Sequence, residues 1–131
     1  MSQETYTKIA LSFFKSMEQM DFDAGLQHVA DDVEYINGPA SAVNGHKGVR
    51  ETLEPFFAPI EENEFIIERT ASTGNVVFVQ RLDRHRIPQG WFELPVTAVM
   101  EIYEGKITYW REYFDIATIQ NAMTELMGGT Q

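Results

Sequence analysis

The sequence predicts an α+β fold: a cone-shaped, curved sheet, mixed or antiparallel, with N-terminal helices packed across it. Three observations carry this. An amphipathic helical stripe opens the chain, long alternating strands fill its second half, and Gly-Asn and Glu-Gly turn pairs fall between those strands.

Over residues 5–20, Ile9, Phe13, Met17 and Met20 recur at steps of three and four, and Ala10, Leu11 and Phe14 widen the stripe. That spacing is one face of a core-facing helix. Ser2 or Thr5 can cap it. Asp21 breaks the pattern, and a short second helix turns Phe22, Leu26 and Val29 inward before ending at Asp31-Asp32. Residues 33–37 read as a strand with Val33, Tyr35 and Asn37 on one face. The stretch from Gly38-Pro39 to Gly45 is a loop by composition. Residues 46–57 form a third helix with Val49, Leu53, Phe56 and Phe57 inward; Pro55 bends or shortens it and Pro59 ends it. Strands follow at 64–73, 76–86, 91–103 and 106–115, with turns at Gly74-Asn75 and Glu104-Gly105 and a loop at Pro88-Gln89-Gly90. Residues 117–127 make a last helix before a Gly-Gly tail. No repeat or linker divides the chain, so residues 1–131 are expected to form one domain.

The totals exclude several functions. A net charge of −10 argues against nucleic acid and anionic membranes, which need clustered Lys and Arg. There is no cysteine, so disulfides, thiolate metal sites and cysteine nucleophiles are out. The start M-S-Q-E-T-Y lacks a basic and an apolar leader region, and no apolar run reaches the ~18 residues of a span. A cytoplasmic protein is the expectation. His28, His46 and His85 show no ligand spacing, so no metal is expected, and without a G-x-G-x-x-G or P-loop motif no nucleotide cofactor is expected either. His85 shares the face of Arg81 and Asp83, which allows it to reach the pocket mouth, but the favoured expectation is a solvent-exposed strand end.

The polar residues within the cone carry the chemistry. In the strand at 91–103, Leu94, Val96, Ala98 and Met100 share an apolar face and read as pocket wall, together with Trp110 and Phe114. Glu112 lies between Trp110 and Phe114 on the same face. A carboxylate among aromatics is costly unless paired, and Arg81 and Asp83, two apart on another strand, are the partners available. Tyr35 and Asn37 complete the set. Such a group can hydrolyse a substrate with a positioned water: one carboxylate takes the water's proton and the other donates to the leaving oxygen. The same spacing equally fits a buried arginine–carboxylate bridge that only fixes strand register.

Tyr35-Ile36-Asn37, Arg81-Leu82-Asp83 and E-G-K-I-T-Y-W-R-E-Y-F-D from Glu104 to Asp115 together resemble the limonene-1,2-epoxide hydrolase family, within the wider nuclear-transport-factor-2-like, SnoaL-like folds. The resemblance implies one-step, cofactor-independent hydrolysis of an apolar epoxide to a diol. Tyr35 and Asn37 match the residues that hold the attacking water, Arg81 the bridging arginine, and Asp83 the acid. The family's base is the aspartate of a W-R-D-Y-F motif; this chain has Glu112 there, one methylene longer. The resemblance also implies a homodimer, and the outer residues Thr108, Arg111 and Tyr113 permit one. Two alternatives share the cone: a ketosteroid-isomerase-like or polyketide-cyclase-like enzyme, and a non-catalytic binder of a small apolar ligand.

Overall fold

The N-terminal stripe forms α1, Gln3–Glu18, in a computed structural model that describes residues 2–128. Gly129, the second residue of the expected Gly-Gly tail, lies outside that range. Ser2 caps α1, its hydroxyl accepting from the Thr5 N–H at 3.1 Å. The helix stops before Met20, the predicted end, because Met20 takes a left-handed φ of 58°. From there the Met20 N–H donates to the Met17 carbonyl at 2.9 Å and the Asp21 N–H to Ser16 at 3.0 Å, a Schellman closure. Asp21 then caps α2, Phe22–Leu26, by accepting from the Ala24 N–H at 3.0 Å.

Two expectations fail in the next stretch. Strand β1 is Val29–Asn37, so Val29 belongs to the strand rather than to the second helix, and Asp31-Asp32 lie within it. The register against its neighbour shifts between Val29 and Glu34. The irregular start leaves both aspartates exposed and erases the alternation that would announce a strand. Within the predicted loop, Val43–Asn44 forms a two-residue strand, β2, antiparallel to β1. Helix α3, Gly45–Phe57, runs through Pro55 to the expected end. The proline removes one helical N–H, while Leu53 and Phe57 on either side anchor the segment in the core.

Strands β3 (Glu62–Thr73), β4 (Val76–Ile87), β5 (Gly90–Tyr103) and β6 (Lys106–Tyr113) form an antiparallel meander. Glu104 and Gly105 both have positive φ, 50° and 80°, as a type I′ hairpin turn requires. The sheet order is β2-β1-β6-β5-β4-β3, with β1 parallel to β6 and every other pair antiparallel. The sheet is mixed, one of the two arrangements the sequence left open.

The concave face receives alternate residues from each strand. Val77, Val79, Arg81, Asp83, His85 and Ile87 of β4 are all buried, as are Phe92, Leu94, Val96, Ala98, Met100 and Ile102 of β5. In β6, Ile102 pairs with Ile107 and Glu101 with Tyr109, which leaves Thr108 as an extra residue. That bulge lets Ile107 and Trp110, three apart, both face inward. Phe13, Phe14 and Met17 of α1 and Val49, Leu53 and Phe57 of α3 close the core from above. Helix α4, Ile116–Leu126, packs against β5, its first turn capped by Asp115 accepting from the Ala117 N–H at 3.0 Å. Asp115, the last residue of the Glu104–Asp115 motif, is thus a helix cap. No helix among the described residues is long and apolar enough to cross a membrane.

Candidate active site

Between the helices and the concave sheet lies a cavity of about 320 Å³. Its polar centre is Arg81, 3 % exposed, which holds two carboxylates at once. Nε and Nη2 donate to Asp83 Oδ1 and Oδ2 at 2.9 and 2.8 Å. Nη1 and Nη2 donate to Glu112 Oε2 and Oε1 at 3.1 and 2.8 Å. The planar fork of arginine allows two bidentate pairs on adjacent edges, which a lysine cannot do. The guanidinium lies 4.1 Å from the Phe14 ring centroid and 5.5 Å from that of Phe65, so aromatic rings flank it. Ala98 stands opposite Glu112 across the β5–β6 ladder, and this small neighbour leaves room for the longer acid.

Burial opposes the Arg81 charge, but Glu112 and Asp83 outweigh it and raise its pKa, keeping it protonated. Burial raises the Glu112 pKa above its ordinary value; Arg81 pulls it back down, Asp83 pushes it up, and the indole of Trp110 lowers it slightly. That indole N–H lies outside strict hydrogen-bond geometry to any described residue, so its effect is the weakest of these.

Tyr35 and Asn37 reach the cavity from β1. The parallel register sets Tyr35 beside Trp110 and Asn37 beside Glu112. The Tyr35 ring stacks on Trp110 with centroids 4.0 Å apart, which fixes its hydroxyl. That hydroxyl is buried and, among the described residues, unpartnered. Burial, reinforced by Glu112, holds its pKa well above the ordinary tyrosine value, so it stays an O–H. The Asn37 side chain lines the cavity too. Where β1 ends, the Gly38 N–H donates to the Glu112 carbonyl at 2.8 Å. Gly38 has a φ of 60°, and a Cβ there would fall 2.6 Å from the Phe114 ring, so only glycine lets Phe114 close this end of the cavity.

His85 departs from the favoured expectation. It is 2 % exposed and lines the cavity rather than lying at a solvated strand end. The strand continues past it to Ile87 and pairs on both sides, so His85 is interior to the sheet. Its Nδ1 lies 2.6 Å from Asn63 Oδ1. Burial lowers its pKa to about 4, with Asp83 raising it and Arg81 lowering it further. A consequence for stability follows. The unfolded chain takes up a proton at His85 below about pH 6.5, whereas the native chain refuses it until about pH 4. The stability held in the neutral ring is therefore complete above pH 6.5 and is lost as the pH falls from there toward 4. Glu112, with its raised pKa, acts in the opposite sense in any variant that retains it. In urea unfolding, His85→Leu is expected to shrink the stability difference between pH 7 and pH 5 by about 2 kcal/mol. An unchanged difference would mean that His85 is protonated in the native state.

The structure brings Tyr35, Asn37, Arg81, Asp83 and Glu112 to one cavity, along with Leu94, Val96, Trp110 and Phe114. It does not bring Ala98 or Met100, expected as wall: both are fully buried beneath the helices instead of lining the space. Residues not anticipated are Phe14 and Met17 of α1, Thr52, Leu53, Phe56 and Phe57 of α3, Phe65 of β3, and Ile116 and Ile119 of α4. Their apolar periodicity marked most of the helical ones as core, and nothing in a periodicity separates core from cavity wall. Among the described residues no group of three or more His, Cys, Asp or Glu side chains is arranged to hold a metal ion.

Comparison with known proteins adds to this geometry. The model of the family described as limonene-1,2-epoxide hydrolase catalytic domain matches residues 4–125. The epoxide hydrolase EphG of Mycobacterium tuberculosis (strain ATCC 25618 / H37Rv) is 29% identical over 105 residues, 80% of this chain and 70% of that protein. The solved structure of an M. tuberculosis LEH-like epoxide hydrolase superposes with a TM-score of 0.79 at 23% identity, covering 98% of each chain. A putative SnoaL-like polyketide cyclase from Jannaschia sp. CCS1 superposes with a TM-score of 0.82 at 16% identity, covering 93% of each. At such identities the structural likenesses speak for the shared fold, the nuclear-transport-factor-2-like, SnoaL-like cone expected from the sequence.

Proposed function

Because this chain belongs to the limonene-1,2-epoxide hydrolase family, we propose that it adds water to an apolar epoxide in one step, giving a vicinal diol without a cofactor. The observation that supports this most strongly is the Asp83–Arg81–Glu112 cluster, with four short contacts joining three side chains at the polar centre of an aromatic cavity. Glu112 is the general base. Burial raises its pKa, and a base closer to neutrality takes a proton from water more effectively. Asn37, its register neighbour, and the unpartnered Tyr35 hydroxyl orient that water. Asp83, in its protonated form, donates to the epoxide oxygen.

The balance of charge is simple. The water oxygen forms a bond to an epoxide carbon as the carbon–oxygen bond of the ring breaks. The water's proton passes to Glu112, and the Asp83 proton passes to the leaving oxygen. Before and after the step, Arg81 faces one ionised and one neutral carboxyl, so the buried cluster keeps a net charge of zero throughout. In a medium of low dielectric that avoids the large cost of creating an uncompensated charge. Turnover is completed when the proton returns from Glu112 to Asp83.

The wall formed by Leu94, Val96, Trp110 and Phe114 suits an apolar substrate of moderate size. A homodimer and a cytoplasmic location belong to the same proposal. Incubation with a panel of apolar epoxides, followed by chromatography, tests it: loss of epoxide with matching gain of diol is expected. Tight binding with all epoxide recovered intact would make the protein a binder instead.

A further inference from the structure

We propose that His85 is a second recognition point in the cavity, whose Nε2 accepts a hydrogen bond from a hydroxyl that the substrate carries away from its epoxide. This rests on the reading of the cavity as an epoxide site. It names a narrower substrate class: apolar epoxides that also bear a hydroxyl group.

The ring's orientation and tautomer are set from outside the cavity. Asn63 lies directly opposite His85 in the β3–β4 ladder. Its Nδ2 donates to the Glu18 carbonyl at 3.2 Å, which turns Oδ1 toward His85 Nδ1 at 2.6 Å. A carbonyl oxygen only accepts, so the proton sits on Nδ1 and Nε2 is a bare acceptor. Burial keeps the ring neutral over the physiological range. Edge-on contacts with Phe56 and Phe65, at 5.2 and 6.2 Å between centroids, and a tilted contact with Phe92 at 5.1 Å prevent it from swinging.

Nε2 has no hydrogen-bond partner among the described residues. The ring is otherwise buried and lines the cavity, so the face left to Nε2 is the cavity itself. Leucine or phenylalanine would fill an aromatic wall without a desolvation penalty. A fixed acceptor that no protein group satisfies discriminates in favour of a ligand that supplies a donor. Two other roles fit less well. As a strap between β3 and β4 the ring needs only Nδ1, and as a proton donor to the reaction it has no proton on the nitrogen that faces the substrate.

The test uses terminal epoxyalkanes of graded length in matched pairs, one carrying a hydroxyl at the far end and the other a methoxy group, which accepts but cannot donate. At the chain length that spans the site, wild type is expected to favour the hydroxyl member by about tenfold in kcat/KM. His85→Leu is expected to abolish the preference. So is His85→Asn, whose amide can keep the Asn63 contact but not reach the cavity. His85→Gln, whose carbonyl oxygen can stand where Nε2 stood, is expected to retain part of it. A wild type without preference, or an equal preference in the leucine and asparagine variants, would overturn the proposal while leaving epoxide hydrolysis intact. If no epoxide is turned over by wild type, the hydrolase reading fails, and calorimetry with octanol and octyl methyl ether decides the matter for His85. Tighter binding of octanol by wild type than by His85→Leu supports the site, and equal binding overturns it.

Discussion

Replacing Arg81 by Met is expected to destabilise the protein by about 3–5 kcal/mol near pH 7, because it strands two buried carboxyl groups without a counter-charge. Asp83 and Glu112 are 5 % and 6 % exposed, and Arg81 is the cation that both contact. The loss is expected to shrink at lower pH, where Glu112, its pKa already raised by burial, takes up a proton and the stranded charge falls. Urea unfolding of wild type and variant near pH 7 and pH 5 measures this. A loss that is the same at both values would mean that packing, not charge, is what Arg81 supplies. In the folded fraction, epoxide turnover is expected to fall by a factor on the order of 10³, since acid and base both lose their alignment. Arg81→Lys restores the charge without the double fork. It is expected to recover most of the stability and little of the rate.

Glu112→Gln separates chemistry from folding more cleanly. The amide keeps the size of the side chain and removes the carboxylate that serves as base, leaving the Arg81–Asp83 contacts in place. Stability is expected to stay within about 1 kcal/mol of wild type, because a burial penalty and an attraction vanish together. Turnover is expected to fall by a factor of about 10³ with loss of the general base. Glu112→Asp tests the fit of the longer acid. Both Glu112 oxygens engage Arg81, and Ala98 leaves space opposite, so withdrawal of the carboxylate by about one bond length is expected to slow the reaction by roughly 10². A faster aspartate variant would show that the glutamate is misplaced for catalysis.

Much of this was legible in the sequence. Period-two alternation set Arg81 with Asp83 and Trp110 with Glu112 and Phe114, and a carboxylate among aromatics demanded a buried cation. Long-range pairing was not legible. Nothing local says that β1 runs parallel beside β6, yet that register brings Asn37 to Glu112 and Tyr35 to Trp110. The irregular start of β1 hid the strand behind two exposed aspartates, and β2 is too short for any periodicity. His85 shows the limit most plainly. Its face was readable from Arg81 and Asp83, but its burial depends on Phe56 of α3 and Asn63 of β3, which only the tertiary fold brings to it. The same limit explains Ala98 and Met100. Alternation puts them on the inner face, and nothing local separates an inner residue that meets the cavity from one fully buried in the core.

The central claim is direct attack by water with Glu112 as base. Single-turnover hydrolysis of an apolar epoxide in ¹⁸O-labelled water, with enzyme in excess, tests it for wild type and Glu112→Gln. The account predicts labelled diol in the first turnover of wild type and neither label nor diol from the variant on the same timescale. An unlabelled diol in that first turnover would contradict it, since the added oxygen would then have come from a carboxylate of the protein through a covalent intermediate.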